Sequence, residues 1–153
     1  MKQSYLSLVL LIERLHRRFL DVIKAELDRL GMEDINNVQT LILYNIGDEN
    51  LTIGELTNRG YYLGSNVSYN IKKLVENEYI IQERSSHDKR SVKVKLSDKG
   101  LSLVDRIDDL LQRNTTQLIE KEGVSMEEID SLNEKLRSLE GFWSRFVSST
   151  GNY

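Results

Sequence analysis

The 153-residue chain has no cysteine, no proline, two histidines and 7% aromatic residues. Without cysteine there is no disulfide, no thiol nucleophile, no thiolate metal site and no cysteine-based oxidation sensing. His16 and His87 stand alone, with no cysteine to complete a zinc site, so neither a metal nor any other cofactor is expected. The longest uninterrupted apolar run, Leu8 to Ile12, is five residues, against the roughly 20 that a membrane-spanning helix needs. No membrane partner is expected. The N-terminal apolar stretch is broken by Glu13, Arg14, Arg17 and Arg18 and has no small-residue cleavage site behind it. It reads as an amphipathic helix rather than an export signal, and a cytoplasmic location is the expectation. Also missing are a Ser-His-Asp order, a phosphate-binding glycine loop and a carboxylate–histidine cluster, so an enzyme is not expected.

What is present suits one globular domain, at 39% hydrophobic and 29% charged residues. A net charge of −3 excludes a general polycation. Residues 59–95, however, carry eight Lys/Arg against four acids, a local excess of +4 that leaves −7 for the remainder. A local basic surface of this kind fits a nucleic-acid partner.

The apolar spacing gives the order of elements. Leu8, Ile12, Leu15, Phe19, Ile23, Leu27 and Leu30 recur at the 3–4 spacing of one helical face, and Gly31 ends that helix. Leu6, Val9 and Leu10 lie off the stripe, so the helix starts apolar nearly all round and needs a second partner there. Asn36 with Gln39, Thr52 with Glu55 and Ser125 with Glu128 have the capping-box spacing and predict three helix starts. Gly47 and Gly60 close the first two of these helices, and a further helix covers residues 65–77. Two short helices joined by a glycine-bounded turn make a helix-turn-helix.

The period then drops to two over residues 79–84 and 92–96, predicting a hairpin with Lys93 and Lys95 outward and a polar tip at residues 85–90. Ser97 caps the next helix, with a stripe including Leu101, Val104, Ile107 and Leu111. In the last helix Ile129, Leu132, Leu136, Leu139, Trp143 and Phe146 form a 3.5-residue seam of the kind used for helix pairing. The fold class is mainly α with a small β-hairpin wing.

On a helical wheel residues 65–77 turn Val67, Ile71, Leu74 and Val75 inward. Ser65, Tyr69 and Lys72 face outward, flanked by Asn66, Ser68 and Lys73. Short hydrogen-bonding side chains, an aromatic ring and two cations suit a helix laid in a major groove. A merely solvated face has the same composition, and Glu76 on that side fits solvation better. The adjacent wing favours DNA, because it puts Lys89, Arg90 and Lys93 on a protrusion of the kind that enters a narrow minor groove. Asp88 is expected to orient a turn cation.

The run Asp88-Lys89-Arg90-Ser91-Val92-Lys93-Val94-Lys95-Leu96-Ser97 resembles the wing signature of the multiple-antibiotic-resistance regulator (MarR) family. The preceding Ser65-Asn66-Val67-Ser68-Tyr69-Asn70-Ile71-Lys72-Lys73-Leu74 resembles that family's recognition helix, and the element order agrees along the chain. Residues 59–70 more loosely resemble the subgroup that includes the cell-wall regulator LdtR.

The resemblance implies a single domain over residues 1–153, with a winged helix-turn-helix lobe at residues 36–97 flanked by dimerisation helices at residues 1–33 and 98–153. It implies a homodimer clasped through Leu6, Val9, Leu10, Leu139, Trp143 and Phe146, bound to double-stranded DNA with Arg90 in the minor groove. It also implies response to a small, often aromatic, effector, for which His16, Thr40, Tyr44, Tyr61 and Tyr62 are candidates. A winged helix used only for protein contacts is the alternative, since a fold alone does not fix function. One departure stands out: the family usually has glycine before the first wing strand, where this chain has Glu78. Asn77 is expected to take the left-handed cap conformation in its place.

Overall fold

Each of the three predicted capping boxes is closed by reciprocal bonds. Asn36 Oδ1 accepts from the Gln39 amide at 2.8 Å while Gln39 Oε1 accepts from the Asn36 amide at 3.1 Å. Thr52 and Glu55 exchange two bonds of 3.1 Å. Ser125 and Glu128 do the same at 2.8 and 3.1 Å. Each box satisfies two backbone donors that a helix start leaves unpaired.

The structure, a computed structural model, describes residues 1–60, 64–84 and 91–150. The elements are α1 (Lys2–Arg29), α2 (Asn37–Ile46), β1 (Leu51–Thr52), α3 (Ile53–Gly60), α4 (Gly64–Glu76), β2 (Ile80–Arg84), β3 (Val92–Leu96), α5 (Asp98–Glu122) and α6 (Met126–Thr150). The chain divides into two compact units, Met1–Leu110 and Leu111–Tyr153. No helix among the described residues is long and apolar enough to cross a membrane.

In the first unit, the end of α1 is closed by bonds from the Met32 amide to Leu27 O and from the Gly31 amide to Asp28 O. Gly31 adopts φ +69°, which a residue without Cβ does at no steric cost. The core gathers Ile23 and Leu27 of α1, Ile42, Leu43 and Ile46 of α2, Leu56 of α3, and Val67, Ile71 and Leu74 of α4. Val94 and Leu96 of the sheet and Leu103 and Ile107 of α5 complete it.

The sheet differs from the expected hairpin. It has three antiparallel strands in the order β1-β3-β2, with Leu51 opposite Val94 and Thr52 opposite Lys93. A two-residue strand has no readable period, and its partner lies some forty residues away.

The buried side of α5 is Gly100, Leu103, Ile107 and Leu110. Of the predicted stripe only Ile107 is buried; Leu101 is exposed and Val104 and Leu111 are half-buried. The face is set by close packing at Gly100. A Cβ there would collide with the Tyr79 carbonyl oxygen and lie 3.3 Å from the Leu96 Cβ.

In the second unit, α6 has no buried residue. Ile129, Leu136, Leu139 and Trp143 of its seam are half-buried, whereas Leu132 and Phe146 are exposed.

Candidate nucleic-acid interface

The wheel for α4 is realised at Val67, Ile71 and Leu74, while Val75, also expected inward, is half-buried. Val67, Ile71 and Leu74 are buried to 1% exposure or less, which turns Asn66, Ser68, Tyr69 and Lys72 to solvent and leaves Lys73 half-buried. Tyr69 is 61% exposed. Lys73 Nζ lies 5.9 Å from the Tyr69 ring centroid and 3.5 Å from Glu76 Oε2, so its charge is partly committed within the helix. Lys72 makes no ion pair among the described residues. Ser65 belongs to α4, but its side chain lies outside the described residues.

The wing's base follows. In β3 Lys93 is exposed directly opposite Glu83, and Val94 and Leu96 point inward. Lys95, on the same outward side of the strand, reaches diagonally to Glu83 Oε1 at 2.7 Å. The hydrogen bond and the charge of Lys95 hold the Glu83 carboxyl below its ordinary value. Arg59 is committed in the same way to Glu49. Arg84, which patterning did not single out, ends β2 exposed beside the wing tip and opposite Val92, with no ion pair among the described residues. Its signal in the sequence was its place as the last strand residue before the polar tip. Asp88, Lys89 and Arg90 lie outside the described residues.

Two polar systems hold α4. Gln39, buried and already used in its capping box, donates from Nε2 to Asn70 Oδ1 at 3.2 Å, and Asn70 Nδ2 donates to Asn66 O at 2.9 Å. At the other end, the expected left-handed residue is displaced by one. Glu78, not Asn77, has φ +66°. The reason is hydrogen-bond register: the Glu78 amide donates to Val75 O and the Tyr79 amide to Leu74 O, the pair of bonds that puts the left-handed residue at position 78. Asn77 is used differently, its Nδ2 donating to Asp34 O at 2.9 Å.

Asp34 also accepts from the Tyr79 hydroxyl at 2.6 Å and from Lys99 Nζ at 2.8 Å. Burial pushes the Asp34 carboxyl up, but the bonds from Lys99 and Tyr79 and the charge of Lys99 together hold it below its ordinary value. Burial and then the bond to Asp34 push the Tyr79 phenol up. None of these partners of Asp34 was legible from spacing.

The effector candidates are not brought together by any described concavity. His16 is exposed; Thr40 is buried, its hydroxyl donating to Asn36 O at 2.8 Å. Tyr44 donates to Asp108 Oδ1 at 2.8 Å, joining α2 to α5, and that bond raises its phenol. Tyr61 and Tyr62 lie outside the described residues. A concavity of about 630 Å³ beside the wing is lined by Glu78, Ile81, Lys95, Ser97, Lys99, Leu101 and their neighbours. Another of about 420 Å³ is lined by Arg14, Arg17, Arg18, Leu20, Asp21 and Asn37. Of the interface candidates, Leu6, Leu10 and Phe146 are exposed and Val9, Leu139 and Trp143 half-buried.

Residues 31–91 match the MarR family. The chain is 45% identical over 100 residues to the exopolysaccharide II synthesis transcriptional activator ExpG of Rhizobium meliloti (strain 1021), a match covering 65% of this chain and 52% of that relative. The chain thus spans about half the length of this curated relative. Among solved structures, mutant MarR from E. coli complexed with operator DNA superposes with a TM-score of 0.72 at 20% identity, over 89% of this chain and 95% of that one. Streptococcus pneumoniae FabT in complex with DNA gives a TM-score of 0.72 at 22% identity, over 93% and 99%. The helix order and the three-stranded sheet agree with the winged-helix fold of these solved structures, and residues 31–91 are similar to the MarR family.

Proposed function

We propose that the chain is a transcription regulator that binds double-stranded DNA as a homodimer, with α4 in the major groove and the wing in the minor groove. The observation that carries the reading is the exposed face of α4. Hydrogen-bonding side chains, the Tyr69 ring and Lys72 stand clear of a helix whose opposite side is fully buried. Asn, Ser and Lys are side chains that pair with base edges or phosphates. Arg84 and Lys93 continue the cationic surface toward the wing tip, where Asp88, Lys89 and Arg90 are assigned by sequence.

Pairing of two copies is supported by apolar side chains a single chain leaves uncovered. Leu6, Leu8, Leu10, Leu11 and Leu15 of α1 are exposed, and so, in α6, are Leu132, Phe142, Phe146 and Val147. Two copies related by a two-fold axis would read a pseudo-palindromic site.

The test begins with selection of bound duplexes from a random pool by the full chain, followed by gel-retardation titrations across a salt series. Arg90→Ala is expected to weaken binding to the selected duplex. Lys72→Ala, Arg84→Ala and Lys93→Ala are each expected to lower the steepness of the salt dependence by about one unit where a phosphate contact is lost. Unchanged affinity and slope in all four variants would remove the site assignment.

A further inference from the structure

The turn between α4 and β2 carries more polar bonds than a chain reversal needs. Its backbone already closes the helix through the Glu78 and Tyr79 amides. Added to this, Asp34 takes one donor on each carboxylate oxygen, the Tyr79 hydroxyl at 2.6 Å and Lys99 Nζ at 2.8 Å. Lys99 Nζ also donates to Asn77 O at 2.9 Å and sits 4.2 Å from the Tyr79 ring centroid. Ser97 Oγ donates to Glu78 O at 2.6 Å, and the Ser97 amide to Tyr79 O at 3.0 Å. Three segments distant in sequence meet here: the α1–α2 connection, the end of α4 and the start of α5.

Tyr79 is at the centre and completely buried. It is also the residue through which the chain passes from α4 into β2, so its placement sets the end of one and the origin of the other. Apolar contacts hold a helix down without fixing its rotation, whereas hydrogen bonds are satisfied only within narrow distances and angles. Asp34 and Lys99 are themselves exposed, but a shift of α4 or β2 that breaks the Asp34–Tyr79 bond takes the acceptor from the phenol of a buried residue.

We propose that Asp34, acting through Tyr79 and Lys99, is a positioning residue for DNA reading, which fixes where α4 and the wing leave the helical scaffold without itself touching DNA. The inference rests on the DNA reading above. A displaced α4 loses base contacts, which need hydrogen-bond geometry, but keeps most of its attraction to phosphates, which does not.

The experiment uses the full chain, a duplex enriched from a random pool by the wild-type protein, and a scrambled duplex of equal length and composition. Asp34→Asn and Tyr79→Phe are each expected to lose about tenfold in affinity for the enriched duplex, the order one coupled hydrogen bond carries. Affinity for the scrambled duplex and the salt slope are expected to stay at wild-type values. The double variant is expected to lose less than the sum of the two single losses, because Tyr79 and Lys99 act through the same carboxylate. Circular dichroism during thermal unfolding fixes the folded fraction at the assay temperature. Should Asp34→Asn fail to fold, Tyr79→Phe, which keeps the ring, carries the test. Wild-type affinity in the variants, or equal losses on both duplexes tracking the unfolded fraction, would overturn the positioning role and leave the DNA reading standing. A wild-type chain that enriches no duplex would remove both.

Discussion

Replacing Glu78 by glycine should make the protein more stable, although a charged surface residue is lost and nothing is added. Glu78 has φ +66°, and it is the only non-glycine residue at positive φ among those described. For an L-residue the left-handed conformation costs about 1–2 kcal/mol, through the approach of Cβ to the following carbonyl oxygen. Its carboxylate makes no hydrogen bond or ion pair among the described residues, and the turn uses only its backbone. Truncation therefore forfeits no contact. Against the relief stands the extra freedom of glycine in the unfolded chain, about 0.5–1 kcal/mol. The net gain is about 0.5–1 kcal/mol, a rise in melting temperature of roughly 1–4 °C for a chain of this length. The assay is urea denaturation at fixed protein concentration, because self-association shifts apparent stability. Glu78→Ala is the control, since it removes the carboxylate but keeps Cβ at positive φ. If Glu78→Gly proves no more stable than Glu78→Ala, backbone strain at this turn is not what the substitution relieves, and the reasoning fails.

At Gly100 the opposite substitution should harm. Gly100→Ala pushes a methyl against the Tyr79 carbonyl and Leu96, an overpacking cost of about 1–3 kcal/mol that calorimetry would detect as a lowered melting temperature. The Asp34 carboxyl is held below its ordinary value, so its contribution to stability is present above pH ~4 and fades as pH falls through its folded-state value. The stability difference between wild type and Asp34→Asn, followed by denaturation across an acid series, should shrink with it; a difference constant to pH 2 would contradict the assignment. Leu6→Ser with Leu10→Ser is expected to weaken the proposed dimer by about 2–4 kcal/mol, two half-exposed leucines being lost from each of two protomers. Sedimentation at low micromolar concentration reads the outcome, and an unchanged dimer would exclude this face of α1.

Features fixed by neighbours in sequence were legible, and those fixed by distant partners were not. The three capping boxes close within four residues, so their spacing alone identifies them. The inward face of α4 was equally readable, because a thirteen-residue helix repeats its pattern several times. In α5 two apolar stripes compete, and the choice belongs to Gly100 meeting Tyr79 and Leu96, a tertiary contact. Lys95 faces outward by alternation, yet its charge is spent on Glu83 of the neighbouring strand. The assignment of the left-handed residue to Asn77 followed propensity, which favours asparagine over glutamate. The hydrogen-bond register of α4 overrode propensity and placed it at Glu78.

This last displacement bears on how such a surface is aimed. Had Asn77 taken the left-handed position, its side chain would have been turned away from its present bond to Asp34 O, and α4 would have ended one residue earlier. The observed register instead frees Asn77 to anchor the helix end and accepts strain at Glu78. Gln39 anchors the same helix nearer its middle through Asn70. Val67, Ile71 and Leu74 supply the burial that keeps α4 folded against the core, while the polar anchors fix its rotation and advance. A base edge is read by bonds of about 3 Å, which tolerate little displacement of the helix that carries them. The six described cations of residues 59–95 divide in the same way. Arg59, Lys73 and Lys95 are bound to Glu49, Glu76 and Glu83, while Lys72, Arg84 and Lys93 make no ion pair among the described residues. In the proposed DNA reading the local cationic excess attracts the duplex, and the bonded residues behind this face fix the geometry of the side chains offered to it.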